Sequence, residues 1–457
     1  MCKQFLFLGM GGMGMAPLAC YVRQQGHVVY GFDDALSPKL EQFFEAQKII
    51  ICEQFPEKLD AVIFSTAFPW EHPWMRMARK RNLLPIGRGH FLAKLCERKK
   101  MIAITGSHGK TTTTAMLIDH LGDCDYILGG FFAAPNKLPA FYCERNSYLL
   151  CEVDESDRTI EAFRPHITVA INLEDDHIGA YGQSENLDAA FGKLFSQTHR
   201  AVVIPENNER LKRIAQSVGI SPILAPISQQ KKDHLSWGEN EAVVKKTLTL
   251  LKGEKNPPSI LFPTEYTPIF RRNQFLGNVE VRGKGMEIWA DYAHHPTEID
   301  HCIEKFQWKH GSEKVLFVFQ PHRYSRTLQY AHDFAKVFEG KEVVFLPVYG
   351  AGESPLDGGT TESIGSHLSS SGGVKSIESL EYFDPTVFYE KDNMPHKILF
   401  IGAGDIFQGA QRWVARQHIA SFREFLAQHS ISFEENFSLK YRQSFQIDAT
   451  APLWIEP

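Results

Sequence analysis

Short apolar runs that end in glycine, hydroxyls or carboxylates recur along the chain, each followed by a stretch with helical spacing. Residues 4–8 form the first run, closed by Gly9-Met10-Gly11-Gly12-Met13-Gly14 and followed by a helix-like segment, 15–25. Residues 27–32 end at Asp33 and Asp34, and 61–64 end in Ser65-Thr66-Ala67. Pro85-Ile86-Gly87-Arg88 precedes a short helix, and Met101-Ile102-Ala103-Ile104-Thr105 runs through a glycine turn into another. Residues 148–152 read as a strand ending at Glu152 and 167–172 as one running into Glu174-Asp175-Asp176-His177, and 286–291, 315–320, 342–348 and 398–401 continue the pattern. Four to eight apolar residues alternating with helical segments predict parallel α/β sheets.

At 457 residues the chain exceeds what one core usually supports, so several domains are expected. The charged run Glu97-Arg98-Lys99-Lys100 is the natural first junction. The expected fold is α/β, with a Rossmann-like first domain over 1–98. Apolar content of 43% and charged content of 23% describe an ordinary globular protein, and a net charge of -5 argues against a nucleic-acid surface. Eight cysteines without a CxxC pair fit a reducing compartment. No run is long and apolar enough to span a bilayer, and glycines interrupt the apolar start before it can serve as a signal peptide, so a cytoplasmic location is expected.

The most informative stretch is Thr105-Gly106-Ser107-His108-Gly109-Lys110-Thr111-Thr112. Its glycines let backbone amides approach phosphate oxygens, Lys110 can reach β- and γ-phosphates, and Thr111 offers a hydroxyl to Mg²⁺. The earlier glycine turn, with Asp33 about twenty residues on, is suited to a diphosphate on a helix N-terminus, which serves NAD or a UDP-sugar equally. Strand ends on one edge of a parallel sheet converge, so Thr111, Glu152 and His177 can share a metal-phosphate site for Mg²⁺, with Mn²⁺ as an alternative. Asp154, Glu155 and Asp157 either belong to that site or form a solvated acidic loop. Arg323 and Arg326, three apart at a helix start, can grip a carboxylate or phosphate.

TGSHGKTTTT, EVDESD, NLEDDH, RRNQFLG, DYAHHPTE, FQPHRYSRT and GAGDI together resemble the Mur ligases, the ATP-dependent amino-acid ligases of peptidoglycan precursor synthesis. The resemblance covers residues 5 to about 418 and is strongest to the members that add L-alanine to UDP-N-acetylmuramate. It implies a three-domain α/β fold: a Rossmann-like domain over 1–98, a P-loop ATPase-like parallel sheet over 99–270, a Rossmann-like domain over 271–418, and a tail, 419–457. It implies UDP-substrate binding by Gly11, Gly12, Met13, Gly14, Asp33, Ser65 and Arg88. It implies ATP binding by Gly106, Ser107, His108, Gly109, Lys110, Thr111, Thr112, Asn240, Arg272 and Asp291, with Mg²⁺ at Thr111, Glu152 and His177. His294, Arg323 and Arg326 would hold the amino acid, and Lys110, His177, Arg272 and His294 would act in catalysis, with the domains closing to exclude water.

The chain departs from the family around 201–262. Glu239 stands where a histidine is usual, Val243 replaces a second asparagine, and a β-rich piece is largely missing, so Asn240 reads either as an adenine contact or as a helix cap. Lys193 is out of register with the carbamylated lysine of some members and reads as a surface residue. The GAGDI turn reads as packing. Two alternatives stay open: a ligase that recycles a preformed tripeptide, and a nucleotide-binding relative without ligation. The segment 435–456 resembles the opening of the flavin reductase that makes UDP-N-acetylmuramate, which implies a link to that enzyme; an unrelated amphipathic tail is the alternative.

Overall fold

The computed structural model describes residues 2–428 apart from 135, 176–180, 228–234, 256, 262, 264, 312–313, 369–374 and 390–392. Its architecture is three-domain α/β, built on three sheets. Two compact units are distinct, Met1–Ile269 and Phe270–Pro457, and the first contains two of the sheets.

The first sheet contains β1 (Gln4–Leu8), β2 (Val28–Phe32), β3 (Ile50–Ile51), β4 (Ala61–Phe64) and β5 (Pro85–Gly87), in the order β3-β2-β1-β4-β5. Every pairing is parallel. Strand order reverses beside β1, so the glycine turn that follows it opens at the switch point where such sheets bind ligands.

The second sheet contains β6 (Lys100–Thr105), β7 (Cys124–Ile127), β8 (Ala140–Phe141), β9 (Tyr148–Glu152), β10 (Ile167–Ala170), β11 (Ala201–Pro205) and β12 (Ile223–Ala225), in the order β12-β11-β10-β6-β9-β7-β8. Because β6 lies between β10 and β9, the loops leaving all three open on one edge. These strands are apolar on both faces, as a sheet covered by helices requires. One core joins the two sheets, with Phe7, Tyr21 and Phe91 packed in the same cluster as Leu149, Phe163 and Phe191.

A buried polar knot reinforces that junction. Asp125 is fully buried and accepts from Tyr21 Oη (2.9 Å), Lys99 Nζ (2.6 Å), the Cys143 amide (2.9 Å) and Asn146 Nδ2 (2.9 Å). A paired and fully hydrogen-bonded carboxylate is the form in which a charge survives burial.

The second unit holds β13 (Gln274–Val281), β14 (Lys284–Asp291), β15 (Val315–Phe319), β16 (Val343–Phe345), β17 (Lys375–Ser376) and β18 (Lys397–Ile401), in the order β13-β14-β18-β15-β16-β17. Among these strands only β13 is antiparallel, forming a hairpin with β14. The final helix, Ile406–Gln428, continues past 418, and the reductase-like segment at 435–456 lies outside the described residues. No described helix is long and apolar enough to cross a membrane.

Candidate functional site

The phosphate-type loop lies between β6 and the helix Lys110–His120, with Gly109 at φ +81° and Gly106 at φ +136°. Both need glycine for space as well as conformation. A Cβ on Gly106 would lie 2.9 Å from the Asn172 carbonyl, and one on Gly109 would lie 3.0 Å from Asn240 Oδ1. Asn172 pins the loop from β10's end, accepting from the His108 amide (2.9 Å) and donating to the His108 carbonyl (3.2 Å). Ser107 Oγ accepts from the Glu174 amide (2.8 Å), and His108 Nε2 lies 3.3 Å from Glu174 Oε2.

Lys110 and Thr111 then meet the acids at the end of β9. Thr111 Oγ1 donates to Glu152 Oε2 (3.0 Å), and the Gly129 amide donates to Glu152 Oε1 (2.6 Å). Burial raises the Glu152 carboxyl's pKa, a shift opposed by the Gly129 amide, the Lys110 charge and the Thr111 hydroxyl. Lys110 Nζ donates to the Gly106 carbonyl (2.6 Å) and lies 3.1 Å from Glu155 Oε2. Burial pulls the Lys110 pKa down, but Glu155 and then Asp154 outweigh it and the net shift is upward. Asp154 drops from 3.8 to about 2: burial opposes ionisation, but Lys110, Arg88 and the Ser156 amide prevail. The structure thus gathers Gly106, Ser107, His108, Gly109, Lys110, Thr111 and Glu152; His177 lies outside the described residues.

Asn240 is inside the helix Leu235–Lys252, so it does not cap that helix. Its amide instead lies against Gly109, while Val243 is fully buried in the core and Glu239 accepts from Asn207 Nδ2 at 2.9 Å. Thr112 occupies the third position of the helix that begins at Lys110.

The first glycine turn is drawn together in the same unit. The Gly11 amide donates to Asp33 Oδ2 (2.7 Å), and Ser65 Cβ lies 3.0 Å from where a Cβ on Gly9 would be. Arg88 Nη1 is 3.0 Å from a Cβ placed on Gly14, and Nη2 pairs with Asp157 (3.1 Å) and Asp154 (3.6 Å). Met13 is partly exposed, and its Cε lies 3.7 Å from a Cβ placed on Gly130, which itself borders Thr111. Arg88 therefore links the glycine turn to the acidic loop beside Lys110.

In the second unit, Asp291 ends β14, while Pro321 and Gly402 lie just beyond β15 and β18, and the three strands are neighbours in the sheet. Asp291 accepts from the Asn273 (2.7 Å) and Ala293 (2.8 Å) amides and is buried, so both carboxylate oxygens knit backbone together. Arg272 lies 4.0 Å from Glu298 and 5.4 Å above the Tyr292 ring. Arg271 donates to the Gly402 and Gly404 carbonyls (3.0 and 2.9 Å), a packing use of the GAGDI turn. His294 Nδ1 is 3.2 Å from Glu298, and its ring is 5.6 Å from His322. Arg323, at φ +71°, bonds the Tyr349 carbonyl through its amide and reaches Glu353 at 3.8 Å. Arg326 follows in the first turn of the helix Tyr324–Phe338, and its charge, with that of Arg323 and His294, adds to burial in lowering the His322 pKa to about 3.

Sequence reasoning left Glu155 and Asp157 open and did not single out Asn172 or Gly129. The acidic loop was the available signal, because two carboxylates beside a candidate phosphate lysine invite an ion pair. Glu155 is in fact fully buried against Lys110.

Two family models match the chain: "Mur ligase family, catalytic domain" over residues 4–100 and "Mur ligase middle domain" over 104–256. The UDP-N-acetylmuramate-L-alanine ligase of Prochlorococcus marinus is 28% identical over 454 residues, spanning 88% of this chain and 92% of that protein. The ligase of the same name from Endomicrobium trichonymphae is 28% identical, covering 90% and 98%. Among solved structures, the UDP-N-acetylmuramate-alanine ligase of Thermotoga maritima matches with a TM-score of 0.69 and 23% identity, covering 92% of this chain and 100% of the other. A murein peptide ligase from Psychrobacter arcticus matches with a TM-score of 0.64 and 17% identity, covering 91% and 98%. Both structures share the fold. On the matched models and the breadth of these relationships, this chain belongs to the Mur ligase family.

Proposed function

We propose that this chain is an ATP-dependent ligase joining L-alanine to the carboxylate of UDP-N-acetylmuramate through an acyl phosphate, a cytoplasmic step in peptidoglycan precursor synthesis. The observation that carries the reading is the cluster of Lys110, Thr111 and Glu152 where a glycine-shaped loop enters a helix. Names of the similar proteins support the choice of substrates. In this reading residues 1–98 take the UDP-substrate, 99–270 take ATP and 271–418 contribute the amino-acid site.

A hydroxyl and a carboxylate at the loop's mouth are hard oxygen donors of the kind Mg²⁺ takes, so Thr111 and Glu152 fit the ion, with Mn²⁺ as the alternative. His177 is assigned as a further ligand from the family motif. When bound, the ion neutralises phosphate charge. The loop amides of 106–111 and Lys110 cradle the phosphates, and Asn240, beside Gly109, borders the nucleotide.

A carboxylate is a poor electrophile, so its oxygen first attacks the γ-phosphorus, forming that P–O bond as the bond to ADP breaks. Arg272 supplies positive charge to the transferring group. His294, Arg323 and Arg326 orient L-alanine, whose neutral amine attacks the acyl carbon; phosphate leaves and the amine gives up its proton. The Pro321-His322-Arg323-Tyr324-Ser325-Arg326-Thr327 segment favours alanine over a preformed tripeptide. The tail's likeness to the reductase stands as a proposal on sequence alone, tested by whether the reading frame continues into a flavin domain.

Purified protein with ATP, Mg²⁺ and UDP-N-acetylmuramate is expected to release ADP on adding L-alanine, and far less with tripeptide. The buried Val243 and the Glu239 substitution favour one rival, a nucleotide binder without ligation. ATP binding with no phosphate release under any amino acid would establish that rival.

A further inference from the structure

Lys110 is held by its own surroundings. Its ammonium has three hydrogens, and four oxygens lie in reach: the Gly106 carbonyl (2.6 Å), the Ser107 carbonyl (3.3 Å) and Glu155 Oε1 and Oε2 (3.2 and 3.1 Å). Any phosphate that takes a hydrogen bond from Lys110 must therefore exchange with one of these acceptors.

Glu155 cannot follow the lysine outward. It has no exposed surface, and its carbonyl accepts from Tyr181 Oη at 2.7 Å. On either side of it, Asp154 and Asp157 are tied to Arg88 at 3.6 and 3.1 Å. The carboxylate is fixed on a clamped loop, whereas the lysine stem is long and can move.

We propose that Glu155 is a resting counter-ion for Lys110 that competes with nucleotide phosphate, so that its charge weakens ATP binding and favours ADP release. Glu155 acts through Lys110 and is a positioning residue. The inference rests on the reading that the 105–112 loop binds ATP.

The test is calorimetric titration of Mg²⁺-ATP and of adenosine into wild type, Glu155→Gln, Lys110→Met and the double variant. The side-chain amide introduced by Glu155→Gln keeps an acceptor for the ammonium but removes the competing charge. ATP is expected to bind Glu155→Gln at least about ten-fold more tightly, equivalent to about 1.4 kcal/mol, with adenosine affinity unchanged. In the Lys110→Met background the same substitution should do nothing, because the effect travels through the lysine.

Equal or weaker ATP binding by Glu155→Gln would overturn the proposal and make Glu155 a supporter of the nucleotide site. Should Glu155→Gln fail to fold, Glu155→Asp decides: the retracted carboxylate should tighten ATP binding about three-fold or more, and no tightening overturns the proposal. Failure of wild type to bind ATP would instead remove the nucleotide reading, and this inference with it.

Discussion

Gly129→Ala tests the candidate metal site without touching a charge. Gly129 is not in the positive-φ region, so alanine meets no left-handed strain, but its Cβ would lie 2.4 Å from Glu152 Oε2 and 2.6 Å from Cδ. To reach an ordinary 3.4 Å contact the carboxylate must retreat by about 1 Å. That movement breaks at least one of the bonds that aim it, from the Gly129 amide (2.6 Å) or Thr111 Oγ1 (3.0 Å). Moving a buried side chain in a packed site costs about 1–3 kcal/mol of stability. Misplacing a ligand by about 1 Å costs up to about 100-fold in activity. The assay is ADP release as a function of Mg²⁺ at saturating ATP, with urea unfolding in parallel. We expect the half-saturating Mg²⁺ concentration to rise at least about ten-fold, an effect of the size seen when a ligand loses its orienting partner, in a protein that remains folded. A folded variant with an unchanged Mg²⁺ curve would refute the assignment of Glu152 to the metal.

Two further predictions concern stability. Asp125→Ala strands Lys99, whose side chain is only 10% exposed, leaving it the Cys143 carbonyl (2.8 Å) and the Tyr142 ring (4.7 Å); urea unfolding should show a loss of about 3–5 kcal/mol, and a loss below about 1 kcal/mol would mean that the knot is not holding the first two sheets together. His322 is held to about 3 from an ordinary 6.5 by burial, then by His294, Arg326 and Arg323. Its folded value is the lower, so below pH 6.5 the unfolded chain takes up the proton first, and the stability is lost as pH falls toward about 3. Thermal unfolding between pH 7.5 and 5 should therefore fall less steeply in His322→Gln than in wild type, and identical slopes would contradict it.

Much of the frame was legible because its signals are local. The runs at 4–8 and 61–64 coincide with β1 and β4, and the apolar segment before Gly106 is β6. Loop glycines announce themselves because a positive φ and a close neighbour leave little alternative, as at Gly109. What stayed hidden depends on contacts between residues distant in the chain. Glu155 read equally as a member of the metal-phosphate site or as part of a solvated loop until the fold brought Lys110, 45 positions away, against it. Arg88 meets Asp157 across 69 positions. The short β7 and β8 were missed, and so was the antiparallel edge strand β13, where Gly277 and a register shift interrupt alternation. Asn240 read equally as a cap because the sequence around it contains no clear helix start, whereas the helix begins five residues earlier.

The most direct test of the proposed chemistry uses UDP-N-acetylmuramate carrying ¹⁸O in both carboxylate oxygens, incubated with the protein, Mg²⁺, ATP and L-alanine, with mass analysis of the inorganic phosphate. Attack of the carboxylate on the γ-phosphorus followed by amine capture predicts one ¹⁸O in each phosphate released. Phosphate free of label, formed at the same rate as ADP, would show that water and not the carboxylate receives the phosphoryl group, and would contradict the account.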